Sequence, residues 1–84
     1  MTRQDRRLDR LRSIPADFKW AELVAVLSAL GYTQQNGSGS RRKFWRADNL
    51  APITLHEPHG SAPVCKQALR DIVDLLDKTG LIES

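Results

Sequence analysis

The chain holds two histidines, His56 and His59, both in Leu55-His56-Glu57-Pro58-His59-Gly60. An imidazole near its ordinary pKa takes up and gives up a proton at neutral pH, the requirement for general acid–base chemistry. The alternative for a histidine at a strand end is a structural one, in which it packs or caps the following loop. His56, His59 and Cys65, with Glu57 as an oxygen donor, also carry metal-binding atoms. Their His-x2-His-x5-Cys spacing matches no common zinc pattern, so no metal is assigned. Ser38, Ser40 and Ser61 fall in turn-like sequence, where serine is expected without any catalytic role.

A basic run precedes the histidines. Arg41, Arg42, Lys43 and Arg46 put four positive charges into six residues around Phe44 and Trp45. Such a run attracts phosphate backbones, or else is simply a solvated face. Cleavage of RNA by its own 2′-hydroxyl needs a group to remove that proton and a cation to steady the phosphate. A histidine facing a basic hairpin offers both. Phe44 and Trp45 have opposite strand parity, so one of them faces the open side of a sheet. An exposed Trp45 has three uses: stacking on an unpaired base, packing on a partner protein, or covering the N-terminal arm. The glycines of Asn36-Gly37-Ser38-Gly39-Ser40 could cradle a phosphate. No helix follows them, so they read as a hairpin turn and not a P-loop.

The elements that must position these residues follow from periodicity. Trp20, Leu23, Val24, Leu27 and Leu30 recur on one helical face, which predicts a helix over residues 18–30 with Asp17 as N-cap and Gly31 just past its end. Leu69, Ile72, Val73 and Leu76, widened by Leu75, predict a second helix over residues 65–79, ended by Gly80. Leu81 and Ile82 are expected to fold back onto the core. Between the helices, residues 32–35, 41–46 and 52–57 read as three short strands, separated by the Gly-Ser turn and by Asp48-Asn49. Pro58 to Pro63 reads as a loop. Residues 1–14, with Leu8, Leu11 and Ile14 as a weak apolar stripe, form a basic N-terminal arm or short helix, and residues 15–84 form the domain. Short turns make the strands antiparallel neighbours, and two amphipathic helices need one sheet face to cover. The expected fold is therefore α+β, a two-layer αβββα sandwich with a three-stranded antiparallel sheet, resembling the double-stranded RNA-binding domain.

Eighty-four residues suffice for one domain with a small core. The net charge of +3 is unevenly spread: residues 1–12 hold five arginines against two aspartates, and the rest holds eight charges of each sign. The longest apolar run, Leu23 to Leu27, is too short to span a bilayer, and the charged N-terminus lacks the apolar stretch of a secretory signal. With one cysteine and no internal disulfide, a cytoplasmic location is expected.

Over residues 19–82 the chain resembles the HicA toxins of bacterial toxin–antitoxin pairs. Trp20-Ala21-Glu22-Leu23 with Leu27, Leu30, Gly31 and Tyr32 resembles the family's first helix and its Gly-aromatic end. Gly39-Ser40-Arg41-Arg42-Lys43-Phe44 is similar to its Gly-Ser-His-His-x-Phe strand. Ile53-Thr54-Leu55 with Pro58-His59 resembles its third strand and the histidine beyond, and Leu69-Arg70-Asp71-Ile72 with Gly80-Leu81 its second helix and terminus. The resemblance implies a metal-independent mRNA interferase, an endoribonuclease without cofactor, with mRNA as substrate and a HicB-type antitoxin as partner. The family's catalytic histidine follows the hairpin Gly-Ser, and here that position is Arg41. The catalytic expectation therefore falls on His59 and His56, His59 foremost, because His56 is still within a strand whose packed face its side chain is free to enter. RNA binding is expected of Ser40, Arg41, Arg42, Lys43, Trp45 and Arg46. The alternative is a noncatalytic RNA-binding or partner-docking domain on the same fold.

Overall fold

The computed structural model describes residues 3–37, 39–49 and 52–82. Its elements are α1 (Arg3–Arg12), α2 (Trp20–Ala29), β1 (Thr33–Asn36), β2 (Arg41–Trp45), β3 (Ile53–His56) and α3 (Lys66–Lys78). The strands form an antiparallel sheet in the order β1-β2-β3. This is the expected αβββα sandwich, preceded by one further helix.

One core joins the helices to one face of the sheet. Leu23, Leu27, Leu69, Ile72 and Leu76 are buried together with Phe44 and Ile53. The helical stripes reach the sheet because strand alternation sends Phe44 of β2 and its register partner Ile53 of β3 to the same side. Gly31 (φ 95°) and Gly80 (φ 76°) end α2 and α3 in the left-handed region, as expected of glycines at these positions. Leu81 and Ile82 fold back: both backbone N–H groups bond to the Leu76 carbonyl, and Ile82 is buried.

The N-terminal segment is a helix and part of the core. α1 packs on α2 and α3, and Leu11 is fully buried. Its Arg10 donates to the Glu22 carboxylate at 2.9 Å and to the Asp17 side chain at 3.0 Å. These two acids hold the Arg10 guanidinium above its usual pKa. Asp17 is thus engaged by α1 and does not cap α2. Lys19 occupies the N-cap position in extended conformation, without a side-chain cap bond. Two residues outside the predicted stripes, Phe18 and Val26, are also fully buried. The Phe18 carbonyl accepts from Val64 N–H at 2.8 Å, which ties the start of α2 to the segment entering α3.

Candidate nucleic-acid interface

The face of the sheet away from the helices is polar and cationic. Alternation along β2 divides its charges between the two faces. Arg41, Lys43 and Trp45 are exposed, while Arg42 and Phe44 point toward the helices. Phe44 is 1% exposed and Trp45 37%, so the aromatic pair splits between core and open face as its parity requires. α1 lies among the helices, so Trp45 does not cover the N-terminal segment.

Each cation on the helix side is tied to the fold. Arg42 donates to the Glu57 carboxylate at 3.1 Å and to the carbonyls of Gly39 and Arg41 at 2.9 and 2.8 Å. It thereby clamps the hairpin turn to the end of β3. Arg46 lies just past β2, paired with Asp48 at 3.2 Å, and donates to the Leu30 carbonyl at the end of α2. Its guanidinium stands over the Tyr32 ring, 5.9 Å from the centroid, and Asp48 holds it above its usual pKa. A cation on the last carbonyls of a helix is a favourable C-terminal cap. Arg41 and Lys43 form no ion pair among the described residues.

The two histidines gather at one end of the sheet. His56 is the register partner of Arg41, and both are exposed on the open side. Its side chain turns away from the packed face, because Ile53 and Leu55 take the inward positions of β3 and leave Thr54 and His56 outward. The His56 Nδ1 lies 3.3 Å from the Ser40 hydroxyl, and Glu57 N–H donates to the Ser40 carbonyl at 2.8 Å. A hydrogen bond at Nδ1 orients the ring. His59 is exposed in the loop beyond β3.

A depression of about 460 Å³ is lined by Ser40, His56, His59, Pro63 and Cys65, among others. A neighbouring one of about 370 Å³ has Gly39, Ser40, Arg42 and His59 in its wall. Cys65 therefore shares a depression with both histidines. Among the described residues, however, no three His, Cys, Asp or Glu side chains group closely enough to hold a metal ion. Farther along the open face lies a third depression, of about 260 Å³, lined by Gln35, Lys43, Trp45, Asn49 and Pro52.

The structure thus brings Ser40, Arg41, His56 and His59 to one end of the sheet and sets Lys43 and Trp45 along the same face. Arg42 and Arg46 stand on the other side. Ser38 lies outside the described residues. Glu57, considered from sequence only as a metal ligand, is the partner of Arg42. Gln35 and Asn49 had no sequence signal of their own, since strand register and turn geometry bring them beside Trp45.

Fold and site together define a small α+β domain whose helices cover one face of a three-stranded sheet. The chain belongs to the HicA toxin family: the family model described as the HicA toxin of bacterial toxin-antitoxin matches residues 20–81. It is therefore the toxin of a toxin–antitoxin system, with an antitoxin as its implied partner. No curated protein and no solved structure matches the chain. Among the described residues no helix is long and apolar enough to cross a membrane.

Proposed function

We propose that the protein is a metal-independent mRNA interferase acting in the cytoplasm, restrained by a HicB-type antitoxin. The observation that supports this best is the juxtaposition of Arg41 and His56 across β2 and β3, with Ser40 against His56 and His59 lining the same depression. In this reading the 2′-hydroxyl of the RNA attacks the adjacent phosphorus and gives its proton to one imidazole. The 5′-oxygen leaves with a proton from the other, so a 2′,3′-cyclic phosphate and a free 5′-hydroxyl result. Arg41 faces the phosphate and offsets its charge, a role the guanidinium fork suits. Ser40 positions His56. Lys43 and Trp45 extend the RNA surface along β2, and Arg42 and Arg46 contribute mainly by holding the hairpin and the end of α2 in place.

A second reading is favoured by one specific feature. Arg41 stands where the family resemblance leads one to expect the catalytic histidine, which suits a domain that binds RNA without cutting it. One experiment separates the two. Purified protein is incubated with single-stranded RNA in the presence of a chelator, with a His56→Ala/His59→Ala double variant beside it. Cleavage by the parent and not by the double variant supports the interferase. Salt-sensitive binding without cleavage by either supports the noncatalytic reading. Activity lost with chelator and restored by zinc overturns metal independence.

A further inference from the structure

The depression around Trp45 is separate from the histidine end of the sheet. Trp45 is the one large apolar side chain exposed among the described residues. Gln35, Lys43, Asn49 and Pro52 line the depression with it. Asn49 is held there by a left-handed turn (φ 58°), closed by its N–H bonding to the Arg46 carbonyl at 2.9 Å.

We propose that this depression is a base-binding subsite, in which one unpaired RNA base stacks on Trp45 while the amides of Gln35 and Asn49 read its edge. The inference rests on the RNA reading above and adds a source of sequence preference to it. Each amide offers both donor and acceptor atoms, as the edge of a nucleobase requires. The volume, about 260 Å³, is below the roughly 300–1,000 Å³ of sites for drug-sized ligands, so a single planar ring is the scale of the occupant. The surroundings argue against a protein partner. Docking surfaces place charge-depleted apolar patches at their centre. Here a lone aromatic sits among exposed Thr33, Gln35, Lys43 and Thr54. Trp45 and Arg41 lie four residues apart on the same face of β2, or roughly 13 Å at the rise of a strand. A base on Trp45 is therefore a few nucleotides from the phosphate at Arg41, and the preference it sets is for a position flanking the cleaved bond.

The test uses the full chain and 2′-O-methyl homopolymer decamers, which cannot be cut because the attacking hydroxyl is blocked. Trp45→Ala is expected to weaken binding of the preferred decamer by roughly 5- to 150-fold, the equivalent of one stacked base. Its salt slope stays unchanged, because no charge is removed. Trp45→Phe retains most of the affinity. Gln35→Ala, and Asn49→Gly, which keeps the left-handed turn, change the order in which the four homopolymers bind. If Trp45→Ala binds every decamer as the parent does while Arg41→Ala still weakens them, the base site is wrong and the RNA reading stands. If the parent binds no decamer and Trp45→Ala instead loses the antitoxin, the subsite and the RNA reading fall together.

Discussion

Arg41 and His56 face each other across the β2–β3 ladder, both on the solvent side of the sheet. A fixed cation and a titratable imidazole are thus held at one point by backbone pairing, without a direct bond between their side chains. His56→Ala and His59→Ala should each lower RNA cleavage, and loss of the dominant proton-transfer group should cost roughly 10²–10⁴-fold. Ser40→Ala should lower it less and leave RNA affinity unchanged, since it removes only the restraint on His56. Cleavage rates with a thermal melt for each variant check this. Full activity in the double histidine variant would exclude histidine catalysis.

The four hairpin cations should separate into two classes. Arg41→Ala and Lys43→Ala should each weaken RNA binding and lower the salt slope by roughly 0.7. Arg42→Ala and Arg46→Ala should act first on the melting temperature, because each leaves an anchoring contact unmade. Affinity titrations between low and moderate salt, read beside melts, give the answer. Four variants with the same salt slope change would contradict the division of faces.

The clamp at the hairpin turn can be tested by charge exchange. Glu57→Arg should loosen the turn that carries Ser40 and lower cleavage, and Arg42→Glu in the same chain should restore part of it. The ion pair is partly exposed, so its effect on global stability should be small, about 0–1 kcal/mol. Recovery of cleavage in the double variant is the result that distinguishes positioning from phosphate binding by Arg42.

Ile72 and Leu11 report on the core. Ile72→Ala and Leu11→Ala should each cost about 2–5 kcal/mol in denaturant unfolding, since both side chains are buried. The Leu11 result is the sharper one. A negligible loss would mean that α1 rests on the domain without completing it.

Burial raises the pKa of Tyr32 above its ordinary value. The folded protein then keeps the phenolic proton at a pH where the unfolded chain has lost it. This contribution is full below about pH 10 and is lost as pH rises toward the folded pKa. Tyr32→Phe should remove that part of the alkaline loss of stability. Denaturant melts of both proteins near pH 8, 10 and 11 measure it, and a stability difference independent of pH would refute it.

Leu23, Leu27, Leu69, Ile72 and Leu76 were legible because a buried helical face repeats at intervals of three and four residues. The same applies to Phe44 and Trp45, whose opposite parity required one to be buried. That alternation, carried back to Arg41 and forward to Arg46, also separates Arg42 and Arg46 from Arg41 and Lys43. It equally turns His56 outward once Ile53 is inward. Reading the basic run by composition alone hid this. Leu11 reads only as part of a weak apolar stripe, because its burial needs α1 to dock on α2 and on the distant α3, and Phe18 and Val26 lie off the stripe that periodicity marks. Asp17 reads as a cap only until Arg10 is placed beside it.

The packing of α1 on α3 has a consequence for synthesis. Leu11 shares one core with Leu69, Ile72, Leu76 and Ile82, which the ribosome delivers last among the described residues. While α3 is still in the exit tunnel, a nascent chain has α2 and the sheet but cannot close the core around them. The hairpin that carries Arg41 and Lys43 therefore emerges well before the fold that holds it. A polypeptide interrupted before Leu69 lacks α3, one of the three helices, so the Arg41–His56 face is assembled only once α3 has emerged.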